Sequence, residues 1–226
     1  MNTLSDLPPE LPKVTVDVVI FTLLNDELKV LLVQRPIQPF AGSWTLPGGF
    51  VQAEESLEEA ARRVLAEKGR ISNVWLEQLY TFGEPHRDPR ARIITVTYFA
   101  LIRPDTLQTR YGDDTVAWHY AYDPPVIGFD HADIIAYAIQ RLRYKLEYTA
   151  VAFQLLPEAF TLTELQNAYE HILREPLDKR NFRRKVLATD LLEETGDVRS
   201  GDHRPAKLFR FSENARFEIQ ARRLFP

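Results

Sequence analysis

The chain of 226 residues contains no cysteine. Disulfides and thiolate metal sites are therefore excluded, and nothing marks a redox compartment. No apolar run approaches the roughly 18–20 residues needed to cross a bilayer. The start, with Asp6, Pro8, Pro9 and Glu10, lacks the basic and apolar stretches of a signal peptide, so the expected location is the cytoplasm. Internal repeats and low-complexity segments are missing. The five histidines (86, 119, 131, 171 and 203) show no metal-ligand spacing and are expected to be structural or superficial. Overall basicity is missing too: the net charge is −4. Any affinity for nucleic acid must rest on a local patch and should fall steeply with salt.

What is present is ordinary for a globular protein: 45% apolar and 27% charged residues. The length suits two domains, and the charge is divided unevenly between them. Residues 1–147 carry 15 Lys/Arg against 20 Asp/Glu, whereas residues 148–226 carry 13 against 12. Residues 174–185 alone hold six basic and two acidic side chains. An acidic body with a locally basic element in its tail fits two tasks on one chain.

Residues 14–23 and 28–34 are rich in β-branched and apolar side chains and predict two strands. The intervening Leu24, Asn25, Asp26 and Glu27 predict a hairpin turn. Residues 46–49, Leu-Pro-Gly-Gly, read as a tight turn. Ser56 stands three residues before Glu59, a capping box that starts a helix whose apolar stripe is Leu57, Ala60, Ala61, Val64 and Leu65. Gly69 is the expected left-handed stop. Residues 74–79, 93–101 and 116–120 predict further strands, and Asp130 caps a long helix that buries Ile134, Ile135, Ala138, Leu142 and Leu146. In the tail, Thr161 and Glu164 form a second capping box. Pro176 ends that helix, Asp178 caps the next one, and residues 191–194 and 207–211 predict a hairpin. Helix, turn, basic helix and hairpin follow the order of a winged helix-turn-helix. The expected fold class is α/β, a mixed sheet with helices over residues 1–147 followed by this tail domain over residues 148–226.

Two clusters carry chemistry in the first half. Gly48 and Gly49 lead into the helix beginning after Ser56, as a phosphate-handling turn requires. Residues 82–92 hold Phe82, Arg87, Asp88, Arg90 and Arg92 before a strong strand, and these arginines suit a diphosphate or ribose. Arg35 is a further phosphate candidate, and Phe82 or Trp44 offers a ring to stack on adenine. In the tail, Lys179, Arg180, Asn181, Arg183, Arg184 and Lys185 ride a helix whose Phe182, Val186 and Thr189 should pack inward. Arg reads guanine and Asn reads adenine in the major groove, while Lys suits phosphates. Arg199, His203 and Arg204, near the hairpin tip, are candidates for backbone or minor-groove contact.

Residues 48–70 resemble the Nudix box, G-x5-E-x7-R-E-U-x-E-E-x-G-U with U aliphatic. Gly48, Glu54, Arg62, Val64, Glu67 and Gly69 match, and the preceding Trp44 to Gly49 run also suits the family. Arg63 and Ala66 stand where the family has glutamate, and Arg70 stands where it has an aliphatic residue. Positions 63, 66 and 67 share one helix face, which in the family presents three carboxylates to Mg²⁺. One remaining carboxylate, Glu67, is a poor site. Arg63 brings positive charge and offers a guanidinium clamp for diphosphate, but it cannot generate hydroxide. The expectation is binding of diphosphate with little or no hydrolysis.

With the tail run that includes Phe160 to Leu162 and Leu177 to Lys185, the whole chain resembles the NrtR family, Nudix-related transcriptional regulators of bacterial NAD metabolism. That resemblance implies a homodimeric repressor on palindromic operator DNA, released by ADP-ribose or a related nucleotide and requiring no cofactor or metal. Two other readings of the residues remain at this stage. One is an ADP-ribose pyrophosphatase with an unusual metal site, and the other is a Nudix-fold module whose tail binds a protein.

Overall fold

The structure is a computed structural model that describes residues 11–72, 74–107, 114–148, 151–189, 191–200 and 205–212. Its first half is built on β1 (Lys13–Leu24) and β2 (Glu27–Gln34), an antiparallel hairpin. Asn25 and Asp26 both take positive φ, 51° and 59°. Two left-handed residues in a two-residue loop match the right-handed twist of the flanking strands, and Asn and Asp tolerate that backbone best among non-glycine residues. β3 (Trp44–Thr45) and β4 (Gly48–Phe50) follow, then α1 (Leu57–Val64), β5 (Leu76–Phe82), β6 (Ile93–Leu101), β7 (Val116–Tyr120) and α2 (His131–Tyr148). Among the described residues the seven strands form one mixed sheet in the order β3-β2-β1-β6-β5, with β4 paired to β1 and β7 to β2. β1 and β6 run parallel.

β1 is buried on both faces, and its alternation divides the work. Val16, Val18 and Ile20 point to the α1 side, where Ala60, Ala61, Val64 and Leu65 meet them. Val19 and Phe21 point to the α2 side, against Ile134, Ile135, Ala138 and Leu142. Asp17 has the parity of Val19, so a carboxylate is carried to the α2 face of a fully buried strand.

Several expectations change. Residues 46–49 are not a tight turn: Gly48, Gly49 and Phe50 pair with Asp17, Val16 and Thr15 of β1. A Cβ on Gly48 would lie 1.9 Å from Asp17 Oδ1 and 3.0 Å from the Val16 carbonyl. Glycine is needed here for close approach, not for a turn. The helix ends at Gly69, but Gly69 is not the left-handed residue. It runs from α1 into a π-helical turn, Leu65–Gly69, and the left-handed residue is Arg70 at φ 57°. Gly69 is buried, with Ile20 Cδ1 and Leu31 Cδ2 both 3.4 Å from where its Cβ would stand. β5 begins two residues later than expected and extends to Phe82.

The second half consists of a short 3₁₀ turn (Val151–Leu155), α3 (Leu162–Leu173), α4 (Lys179–Leu187) and a hairpin of β8 (Leu192–Arg199) and β9 (Ala206–Phe211). Both predicted caps form. Thr161 Oγ1 accepts the Glu164 N–H at 3.1 Å while Glu164 Oε2 accepts the Thr161 N–H at 2.7 Å, and Asp178 Oδ1 accepts the Asn181 N–H at 2.7 Å. Phe160 adds backbone pairing to Phe209. β8 is longer than expected and is bent by an irregularity between Glu194 and Val198, where Gly196 has φ 86°.

The two halves share one apolar core, which runs from Val19 and Phe99 through Leu142, Phe153 and Leu165 to Phe182 and Phe209. Polar contacts reinforce the junction at the C-terminal end of α3. Arg143 Nη2 of α2 donates to the Leu173 carbonyl at 2.9 Å, and the Tyr122 hydroxyl donates to the Ile172 carbonyl. The Arg174 guanidinium lies 5.1 Å from the Tyr122 ring centre. The last carbonyls of a helix lack intrahelical donors, so these side chains satisfy groups that would otherwise need water.

Candidate functional site

A cavity of about 540 Å³ opens beside β4, between the α1 helix end and the loop before β6. That size suits a nucleotide-like ligand. Its wall carries six cations, Arg35, Arg63, Lys68, Arg70, Arg87 and Arg90, against the carboxylates Asp17, Glu67 and Asp88. The excess positive charge favours an anion. Seven of the eight ligand residues expected from the sequence line it: Arg35, Gly48, Gly49, Arg63, Glu67, Arg87 and Arg90. Phe82 does not. It packs edge-on against Tyr80 and Tyr137, 5.3 and 5.9 Å between ring centres, on the α2 face of the sheet. Its place at the very end of β5 decides which way its ring turns. Trp44 is likewise outside the cavity wall, edge-on to His119 at 4.5 Å.

The rings that do face the cavity were not recognised in the sequence. Phe129 lies under the Arg35 guanidinium at 5.1 Å and near that of Arg90 at 5.7 Å, and Phe50 lies 5.6 Å from Arg90. Phe129 has φ 60°. A left-handed backbone is costly for a bulky residue and tends to persist where a site requires it.

Behind these groups is a buried ionic cluster. Arg87, with a side chain 4% exposed, forms a fork–fork pair with Asp130: Nε to Oδ2 at 2.7 Å and Nη2 to Oδ1 at 2.6 Å. Asp17 Oδ2 lies 3.6 Å from Arg87 Nη2 and accepts the Thr95 hydroxyl at 2.7 Å. His131 Nδ1 accepts the Leu46 N–H at 2.9 Å, which leaves its proton on Nε2, 3.6 Å from Asp17 Oδ1. Burial pushes the His131 pKa down, with the nearby Asp17 opposing, so the ring is neutral. Asp130, expected to cap α2, spends its carboxylate on Arg87, while its carbonyl accepts the Asp133 and Ile134 N–H groups. Arg90 closes a second fork onto Asp88, at 2.9 and 2.6 Å.

Arg63 is not the free clamp that the sequence suggested. Its Nε and Nη2 hold both oxygens of Glu55 at 2.9 and 2.6 Å, Nη2 also donates to the Phe50 carbonyl, and Nη1 reaches Glu67 at 3.3 Å. Glu55 has a side chain only 13% exposed. The Arg63 hydrogen bonds hold its pKa at about 2. These two residues are eight positions apart and meet because the chain folds back from β4 into α1.

A divalent ion of the Nudix kind does not fit this donor set. Of the three positions on the relevant helix face, one is Arg63, one is Ala66, and the third, Glu67, already faces the Arg63 guanidinium. A hard cation needs several oxygen ligands in tight geometry, and among the described residues no group of three or more acidic or histidine side chains is placed to hold one.

The packing makes one substitution diagnostic. Gly48→Ala should drive β4 off β1, because the Asp17 carboxylate in its way is itself held by Thr95. Overpacking of this kind costs about 1–3 kcal/mol, or roughly 2–12 °C of melting temperature for a chain of this size. Thermal unfolding of Gly48→Ala beside Gly49→Ala measures this, since the Gly49 Cβ would meet only Val64 Cγ2, at 3.0 Å. Unchanged melting of Gly48→Ala would rule out the close approach.

The second functional surface is α4. Phe182 and Val186 are buried, and Phe182 meets Tyr169 of α3 edge-on at 5.4 Å. The turn between the helices is fixed by Glu170 Oε1, which accepts the Leu177 N–H at 2.8 Å, and by Gln166 Nε2, which donates to the Leu177 carbonyl at 3.0 Å. That leaves Lys179, Arg180 and Arg184 exposed, with Asn181, Arg183 and Lys185 half-buried on the flanks. Arg184 Nη2 donates to Asn181 Oδ1 at 2.8 Å, so these two side chains are held together. Arg183 is tied back to Thr163 of α3 at 3.2 Å. Arg199 is engaged with Glu164 and with the Ala159 carbonyl. Arg204 and His203 lie outside the described residues.

Comparisons agree with this two-part geometry. The NUDIX domain model matches residues 13–133, and the model of the NrtR DNA-binding winged helix domain matches residues 152–211. The chain is 40% identical over 213 residues to an ADPR responsive transcriptional repressor of Acinetobacter baylyi, named NtrR, covering 92% of this chain and 84% of that protein. The crystal structure of Shewanella oneidensis NrtR complexed with a 27mer DNA superimposes with a TM-score of 0.85 at 40% identity, over 93% of this chain and 98% of that one. The NUDIX domain of the same protein, complexed with ADP ribose, matches with a TM-score of 0.53 at 40% identity, over 62% of this chain and 96% of that one. With a Nudix fold whose metal-holding face is dismantled, fused through a common core to a winged helix of the matching type, the chain belongs to the NrtR family of Nudix-related transcriptional regulators.

Proposed function

We propose that this chain is a DNA-binding transcriptional repressor of NAD-metabolism genes that is released from its operator by ADP-ribose or a close NAD-derived nucleotide, and that it hydrolyses neither. The observation that carries the reading is the pairing of a cation-rich, carboxylate-poor Nudix cavity with an exposed basic helix on the same rigid core. The diphosphate lies among the cavity cations, and Phe50 and Phe129 offer apolar faces to the rest of the nucleotide. α4 enters the major groove, with Arg180, Asn181 and Arg184 toward base edges and Lys179 and Lys185 toward phosphates. A homodimer presents two such helices to a palindromic site. Release requires ADP-ribose to bind the DNA-free arrangement more tightly than the DNA-bound one.

The test is a gel shift with DNA from the chain's own genomic neighbourhood. The expected result is a complex that ADP-ribose dissolves while ATP at the same concentration leaves it intact. A parallel incubation of protein with ADP-ribose and Mg²⁺ should yield no AMP. Metal-dependent AMP release at an ordinary enzyme rate would favour a pyrophosphatase. Failure to bind any such DNA would defeat the repressor reading.

A further inference from the structure

The cavity cations are not equivalent. Arg63 is bound to Glu55, Glu67 and a backbone carbonyl; Arg87 is forked onto Asp130; Arg90 is forked onto Asp88. Arg35 directs its Nε to the Pro39 carbonyl at 2.6 Å. Each of these guanidiniums has been committed to a protein acceptor, and three of them to carboxylates that cancel their charge.

Lys68 differs. It rises from the π-helical turn that follows α1, one residue past Glu67, and its ammonium reaches across to the Gly48 carbonyl on β4. Among the described residues that carbonyl is its one hydrogen-bond partner, and no carboxylate forms an ion pair with it. Lys68 is exposed as a whole and lines the cavity, where partial burial lowers its pKa, with Asp17 opposing and Arg35 adding to the lowering. The seat is rigid. Gly48 is paired to Asp17 of β1, so the carbonyl that orients the ammonium cannot drift. An ammonium has three donors, and here one is used.

We propose that Lys68 is the principal diphosphate-binding cation of this cavity and that it replaces, with a side chain, the divalent ion for which the donor set has become unfit. The inference rests on the reading of the cavity as a nucleotide diphosphate site. It corrects the expectation that Arg63 plays this part: the Arg63 charge is spent on Glu55 and Glu67, and Arg63 instead braces the loop between β4 and α1. An ammonium and a hydrated Mg²⁺ answer the same need of a diphosphate, compact positive charge at its oxygens. Only the metal also activates water. Binding without turnover follows from that substitution, and so does independence of divalent metal.

The experiment is calorimetric titration of the full-length protein with ADP-ribose and with adenosine, in EDTA and in excess Mg²⁺. Wild type should bind ADP-ribose equally in both buffers. Lys68→Met, which keeps most of the stem, should weaken ADP-ribose about 10- to 100-fold, the range for loss of hydrogen bonds to a charged group. It should leave adenosine within roughly 3-fold. Lys68→Arg should recover most of the loss, and Arg63→Met should affect ADP-ribose less than Lys68→Met does. Melting temperature and operator binding of each variant serve as checks on folding. Wild-type affinity that collapses in EDTA, or Lys68→Met that binds ADP-ribose like wild type, overturns the inference while the cavity remains a nucleotide site. Wild type that binds ADP-ribose in neither buffer overturns the reading of the cavity and this inference with it.

Discussion

Arg87→Ala is expected to destabilise the protein by about 3–5 kcal/mol, the usual consequence of removing one partner from a buried ion pair. The Arg87 side chain is 4% exposed, and those of its neighbours Asp17 and Asp130 are 8% and 19% exposed. Two carboxylates would lose their guanidinium. For a chain of this size the shift corresponds to roughly 6–20 °C of melting temperature. Arg87→Lys should recover only part of it, because an ammonium cannot close the fork on Asp130. Asp130→Ala should be damaging as well, and the double variant Arg87→Ala/Asp130→Ala should lose less than the sum of the two single losses, since each deletion already breaks the same contact. Thermal unfolding of the four proteins decides the matter. If Arg87→Ala melts with wild type and merely binds ADP-ribose less well, Arg87 is a ligand contact and the buried cluster has been misjudged.

The second large effect is expected on α4. Arg180→Ala and Arg184→Ala should each weaken operator binding by about 1–3 kcal/mol. Together they should cost roughly 30- to 20,000-fold in affinity. Fluorescence anisotropy with a labelled operator reads this, and the same experiment separates two kinds of contact. Arg184, held by Asn181 at 2.8 Å, is the proposed base-reading side chain. Its loss should therefore reduce discrimination between the operator and a scrambled duplex. Lys179, at the first turn and exposed, is the proposed phosphate contact, so its loss should weaken both duplexes alike and lower the slope of log affinity against log salt by about 1. Circular dichroism should show every variant folded, because these side chains lie outside the apolar seam of Phe182 and Val186. Operator affinity unchanged in the double variant would move the nucleic-acid surface elsewhere.

What could be read in advance was what local chemistry decides. The capping boxes at Ser56 and Thr161 join residues three apart, and both form as expected. The Asn25–Asp26 turn, the limits of β6 and β7, the inward face of α2 and the buried Phe182 and Val186 of α4 follow from short-range pattern, whereas Thr189, expected on that same face, lies past the helix end and is half-buried. The degenerate box was legible residue by residue. What escaped depends on distant parts of the chain. Asp17, Arg87, Asp130 and His131 meet only once β1, the loop before β6 and the start of α2 have assembled. β4 was hidden because glycine normally signals a turn, whereas here it permits a backbone to lie against a buried carboxylate. Arg70, not Gly69, takes the left-handed position after the π-helical turn, which the glycine rule does not foresee. The Glu55–Arg63 pair gave no signal because the two residues lie eight positions apart, beyond the reach of helix periodicity. Phe129, a lone aromatic in a loop, gave no signal at all.

The placement of α2 has a further consequence. Its first residue, His131, belongs to the cavity wall, and in its second half Arg143 grips the end of α3. The helix has 18 residues, so it spans about 27 Å. A helix of that length transmits displacement without stretching. On the proposed function, a nucleotide that displaces the near end of α2 would carry the end of α3 with it, and no part of the helix would have to melt.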